Sequence, residues 1–157
     1  MSRARPASLP PSEELMQHGY SGTPLARKLG LKPGMAALFL DLPDSQQDLA
    51  RTEGLERVAT RLDGVATREF DLIHVFETAR ERLADRLPAL SAALKADGML
   101  WISWPKKSSG VKSSITEDVL RELVLPLGLV DVKVCAVDEI WSGLKFMFRK
   151  ELRAMLA

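Results

Sequence analysis

The chain has 157 residues, and its 22 Lys and Arg against 21 Asp and Glu leave a formal net charge of +1. No global basic field therefore draws it to nucleic acid or to a membrane surface. With 46% hydrophobic and 27% charged residues it reads as an ordinary globular protein, long enough for one domain with a substantial core. Cys135, the sole cysteine, excludes an internal disulfide, and with only His18 and His74 beside it no Cys/His zinc site is expected.

Residues 1–17 carry Arg3, Arg5, Pro6, Pro10 and Pro11 but no apolar stretch of signal-peptide length, and they read as a mobile tail on a cytoplasmic protein. A single α/β domain is expected over 18–150, followed by a short helical tail over 151–157. Gly19-Tyr20-Ser21-Gly22-Thr23 leads into a short helix, Pro24 to Leu29, with Pro24 suited to its first position and Thr23 to its cap. Leu31-Lys32-Pro33-Gly34 then enters the apolar run Met35 to Leu42, as expected of a strand buried on both faces of a parallel sheet. No glycine follows between Asp41 and Glu53, although the first strand of a doubly wound fold commonly ends in a glycine-rich turn. Residues 44–69 are read as one helix and one short strand.

Phe70 to Phe76 and Met99 to Trp104 are two further apolar runs, the latter entered through a turn at Asp97-Gly98. Between them Ala79, Leu83, Leu87, Leu90 and Leu94 recur at helical spacing, and Pro88 should kink or split that helix. Strand, crossover helix and strand make a βαβ unit with parallel strands. A second helix starts at its cap Thr116 and ends at Pro126 and Gly128. Val130 to Ala136 and Leu144 to Phe148 alternate in polarity and predict an antiparallel hairpin at one edge of the sheet.

The loop from Trp104 to Ser114 is the leading candidate site. It leaves the carboxyl end of a central strand, where open α/β sheets bind ligands. Lys106, Lys107, Ser108, Ser109, Lys112 and Ser113 offer ammonium groups and hydroxyls suited to a phosphate or carboxylate. The glycine spacing is not that of a P-loop, and a solvated surface loop is the plainer account. Asp41 and Glu77 end adjacent strands and can bind a ligand's hydroxyls or amines, or pair with Lys106 or Lys107. Tyr20 sits in a flap that either offers its hydroxyl or anchors the tail. His74 reads as a core histidine with one hydrogen bond, and Trp141 as packing at the hairpin end. No metal site is expected.

The Leu-Lys-Pro-Gly entry at Leu31, the Phe-Asp-Leu-Ile strand at Phe70, the Asp-Gly-Met-Leu strand at Asp97 and the terminal hairpin resemble the class I S-adenosylmethionine-dependent methyltransferase fold over roughly Thr23 to Lys150. Two departures stand against it: the cofactor turn reads Asp41-Leu42-Pro43-Asp44-Ser45, and the stretch from Leu42 to Phe70 is short for two helices and two strands. Gly19 to Ala26, Trp104 to Gly110 and Leu127 to Lys145 resemble the recurring stretches of a small bacterial family, a domain of unknown function.

These readings predict a reduced Rossmann-like, mostly parallel sheet with helices on both faces and a C-terminal antiparallel hairpin. The expected function is a non-catalytic binding domain for an anionic small molecule at the Lys/Ser loop. S-adenosylmethionine is not expected as a cofactor, because the missing glycines remove the close backbone approach. The alternatives are a divergent S-adenosylmethionine-dependent methyltransferase and a protein–protein interaction module. Partners are the anionic small molecule and a protein partner or second copy, with neither nucleic acid nor membrane.

Overall fold

A computed structural model of the chain describes residues 24–157. The expected tail and Tyr20 lie outside the described residues. Among those residues no helix is long and apolar enough to cross a membrane.

Six strands form one sheet in the order β2-β1-β3-β4-β6-β5. Strands β1 (Ala36–Leu40), β2 (Arg57–Ala59), β3 (Phe70–Phe76) and β4 (Leu94–Pro105) run parallel. β5 (Leu129–Ala136) and β6 (Trp141–Phe148) are antiparallel, and β6 inserts between β4 and the edge strand β5. This is the predicted mixed sheet. On one face lie α2 (Arg80–Ala93), α3 (Glu117–Val124) and α4 (Lys150–Leu156), packing Leu83, Leu87, Leu90, Leu120 and Val124 against Leu38, Ile73, Val75, Leu100 and Phe146. The other face is covered by α1 (Leu25–Leu29) and a 3₁₀ segment, Asp44–Arg51, which bring Leu29 and Leu49 onto Phe39, Leu72 and Trp101. Trp101 and Trp104 fall on opposite faces, as strand alternation requires. The buried indole of Trp101 donates to the Leu29 carbonyl at 2.8 Å, tying α1 to the sheet without an unsatisfied N–H.

Four local expectations are corrected. Asp97-Gly98 is not a turn before the strand, because β4 already begins at Leu94, directly after α2, and shifts register against β3 between Phe70 and Leu72. Helix α2 runs unbroken through Pro88. Pro88 lies exposed, so its ring faces water rather than the core. Pro24 stands before α1 as its cap residue, not inside it. The alternation predicted for β5 is broken by an irregularity between Asp131 and Lys133, which leaves Val132 and Val134 half exposed at the sheet edge.

α3 keeps its predicted start, with the Thr116 hydroxyl accepting from the Val119 amide at 3.2 Å. After it, Gly128 turns the chain into β5 at φ 94°, and a Cβ there would collide with the Leu152 side chain of α4. Glycine answers both constraints.

Candidate functional site

Because β1 and β3 are parallel neighbours, Asp41 and Glu77 leave the sheet side by side at its carboxyl end. Asp41 adopts φ 57°, the left-handed conformation that glycine usually supplies and that aspartate tolerates better than most residues. The sharp turn after β1 is therefore made without glycine. Pro43 follows in extended conformation and starts the 3₁₀ segment, from which Gln46 Nε2 donates to Asp138 Oδ2 in the β5–β6 turn at 2.9 Å. That contact carries the chain across from the end of β1 to the hairpin.

Glu77 is 3% exposed, and its carboxylate is held from several sides. Oε2 accepts from the Thr78 and Ala79 amides at 2.9 and 3.1 Å, at the start of α2. Arg82 Nε reaches both oxygens, at 3.0 and 2.9 Å. Arg86, one helical turn on, places Nη1 at 3.6 Å from Glu77 Oε1 and 2.6 Å from Asp41 Oδ2. A buried carboxylate with this set of partners holds two guanidiniums in place. The expected pairing with Lys106 or Lys107 is corrected: the counter-ions are Arg82 and Arg86, which the sequence shows only as a polar face of α2.

Above these groups opens a cleft of about 370 Å³, walled by Asp41, Thr78, Arg82 and Arg86 and by the rings of Phe76 and Trp141. Pairing of Pro105 with Trp141 brings the indole to this end of the sheet, where it meets Phe76 edge-on at 5.2 Å. Trp141 thus packs the hairpin end and also lines the cleft. Beneath, Phe76 stacks on His74 at 4.2 Å. His74 is fully buried, holds a 2.7 Å hydrogen bond to Ser103 Oγ, and its pKa is lowered by burial to about 3. It is a neutral core histidine, as predicted, and not a base.

The Lys/Ser loop does not wall this cleft. Lys106 donates its amide to the Ile140 carbonyl at 2.7 Å, and Lys107–Ser109 form a 3₁₀ turn. The hydroxyls of Ser109 and Ser113 are spent on the backbone, Ser109 on the Lys106 carbonyl and Ser113 on the Thr78 carbonyl at 3.0 Å. Ser114 caps α2 by accepting from the Arg80 amide at 2.8 Å. The loop is a brace that fixes the β3–α2 turn from outside. Among the described residues, the side chains of Lys106, Lys107, Ser108 and Lys112 have no partner. Lys107 lines a separate cleft of about 440 Å³ with Trp104, Thr116 and Arg121.

No protein-family model matches the chain, and no curated protein matches it. Solved structures do match, and they share the fold. A S-adenosylmethionine-dependent methyltransferase from Aquifex aeolicus aligns over 78% of this chain and 87% of its own, with TM-score 0.57 and 16% identity. Magnesium protoporphyrin IX methyltransferase from Synechocystis, with bound S-adenosylmethionine, aligns over 80% and 74%, with TM-score 0.53 and 12% identity. A Burkholderia thailandensis 1,6-didemethyltoxoflavin-N1-methyltransferase with S-adenosylhomocysteine aligns over 78% and 75%, with TM-score 0.53 and 17% identity. The chain has a methyltransferase-like fold.

These neighbours overturn the expectation that S-adenosylmethionine is not a cofactor of this chain, since structures of the same fold carry it or its product. The physical error lay in equating the turn with glycine: Asp41 makes it in the left-handed region. The residues at the strand ends also suit such a ligand, since Asp41 keeps one oxygen free for a hydroxyl or amine and the two rings offer an apolar wall.

Proposed function

We propose that the chain is a divergent S-adenosylmethionine-dependent methyltransferase whose reaction is staged in the strand-end cleft. The observation that carries this reading is the cleft itself: it opens at the carboxyl ends of two adjacent parallel strands, beside a left-handed turn, in a methyltransferase-like sheet. S-adenosylmethionine would supply an activated methyl group to a nucleophilic atom of the acceptor. Asp41, with one carboxylate oxygen unengaged, would accept hydrogen bonds from the cofactor. Phe76 and Trp141 would exclude water from one side. Glu77 is a positioning residue: buried, with its carboxylate held by two backbone amides and by Arg82, it orients Arg82 and Arg86. The Lys/Ser loop would serve the same site indirectly, by bracing Thr78.

Isothermal titration calorimetry with S-adenosylmethionine and S-adenosylhomocysteine tests this directly. Saturable heat is expected for both, weakened in Asp41→Ala. No heat from either in the folded protein would refute the reading.

A further inference from the structure

The hydrogen-bonding groups that face the strand-end cleft are unequally divided. On the acceptor side, Glu77 is buried and turned to two backbone amides, Arg82 and Arg86, and Asp41 Oδ2 is held by Arg86, which leaves Asp41 Oδ1 as the exposed acceptor. The donor side is richer. Arg82 turns Nε and Nη2 to Glu77 and keeps Nη1 unengaged. Among the described residues, Arg86 turns Nη1 to Asp41 and keeps Nε and Nη2 unengaged, and the Thr78 hydroxyl and the Trp141 indole N–H also have no partner. A wall rich in donors and poor in acceptors is matched by a group rich in acceptors. Two guanidiniums held at helical i, i+4 spacing by one buried carboxylate are already ordered, so little side-chain entropy remains to be lost on binding.

We propose that this cleft binds an oxyanion, a carboxylate or a phosphate, on Arg82 and Arg86, and that the oxyanion belongs to the methyl acceptor, whose flat body lies against Trp141. The acceptor's role rests on the methyltransferase reading; the oxyanion site does not. Phe76 supports the orientation, because its edge-on contact holds the indole upright at the cleft wall. The same chemistry could come from the carboxylate of the cofactor's own amino-acid end, so the test must separate the two sources.

Benzoate, phenyl phosphate and the neutral benzamide are titrated into the full-length protein while the Trp141 indole N–H resonance is followed, its assignment taken from its loss in Trp141→Phe. Saturable shifts are expected from both anions and none from benzamide. Arg82→Leu, at a side chain 58% exposed, should fold and weaken benzoate at least about tenfold. Arg86→Lys, which keeps the charge but loses the fork, should weaken it as well. Equal shifts from benzamide, or unchanged benzoate affinity in Arg82→Leu, would overturn the oxyanion site. A second arm measures S-adenosylhomocysteine against 5′-methylthioadenosine, which lacks the amino-acid end. If Arg82→Leu weakens only the former, the oxyanion is the cofactor's and the assignment to the acceptor falls. Benzoate binding without any binding of S-adenosylmethionine would sustain the site and remove the acceptor's role.

Discussion

Two places in this molecule bring like charges together, and they treat them in opposite ways. At the strand-end cleft Arg82 and Arg86 share the buried carboxylate of Glu77, and Arg86 also holds Asp41. At the far edge of the sheet Lys133 of β5 pairs directly with Lys145 of β6, and neither forms an ion pair among the described residues. Lys145 lies over the Trp101 ring at 6.0 Å, and its pKa is lowered by burial first and by Lys133 second. Like charges placed opposite each other across strands weaken a sheet. A charge pair with a buried counter-ion is thus a prepared surface, whereas a pair without one is a tolerated cost at an edge. That contrast is why the cleft, and not the lysine-rich parts of the chain, carries the functional reading.

The contrast breaks most directly at Glu77. Glu77→Ala would leave two guanidiniums beside two amides that have lost their acceptor. Removing one partner from such a buried cluster costs about 3–5 kcal/mol. Urea unfolding should show a loss of that order, together with loss of the benzoate-induced shift. A loss smaller than about 1 kcal/mol would mean that Glu77 does not organise the arginines.

His74 sharpens the comparison by pH, because it lies under the cleft and has no counterpart at the edge. Its folded pKa, about 3, is below the unfolded value of 6.5. Between those values the unfolded chain binds a proton that the folded chain refuses. Stability contributed by the neutral ring is therefore complete above pH 6.5 and is lost as the pH falls toward 3. The slope attributable to this one group is at most roughly 1.4 kcal/mol per pH unit. His74→Phe should flatten the dependence of unfolding free energy on pH in that window; an unaltered slope would show that other groups produce it.

What could be read in advance follows from what each feature depends on. Strands β3 and β4 were legible as continuous apolar runs, because both their faces are covered, and helices α2 and α3 because their apolar residues recur at helical spacing. The start of β4 at Leu94 was not, since Asp97-Gly98 falls in the register shift between the pairs Phe70–Leu94 and Leu72–Met99, and an irregularity inside a strand carries the same residue types as a turn before one. The irregularity at Val132 was hidden too, because a single extra residue leaves the valine alternation intact in the sequence while turning Asp131 toward Arg121 and Lys133 toward Lys145. For the site, Asp41 and Glu77 were legible from their places at strand ends. Arg82 and Arg86 were not, although their spacing from each other and from Glu77 was the available signal. The turn after β1 was not legible because a left-handed backbone is a conformation and not a residue type, and Asp41 adopts it where glycine is usual. The Lys/Ser loop misled in a related way: its residue types suit an anion, but the backbone uses the hydroxyls of Ser109 and Ser113.

The smallest effect is expected at the edge. Lys133→Glu would replace a like-charged cross-strand pair with an opposite one, beside the half-buried ammonium of Lys145. Such a change is worth about 0.2–1 kcal/mol in favour of the folded state, at an exposed position where water screens most of it. The lowered pKa of Lys145 should move back toward its ordinary value, although not fully, since burial is the larger cause. Thermal unfolding at low and high salt is the measurement, because the gain should shrink as added ions screen the pair. A gain that persists at high salt would point to packing instead of charge. A loss of stability would mean that the two lysines answer to a counter-ion, and the edge would then resemble the cleft more closely than its ion pairs suggest.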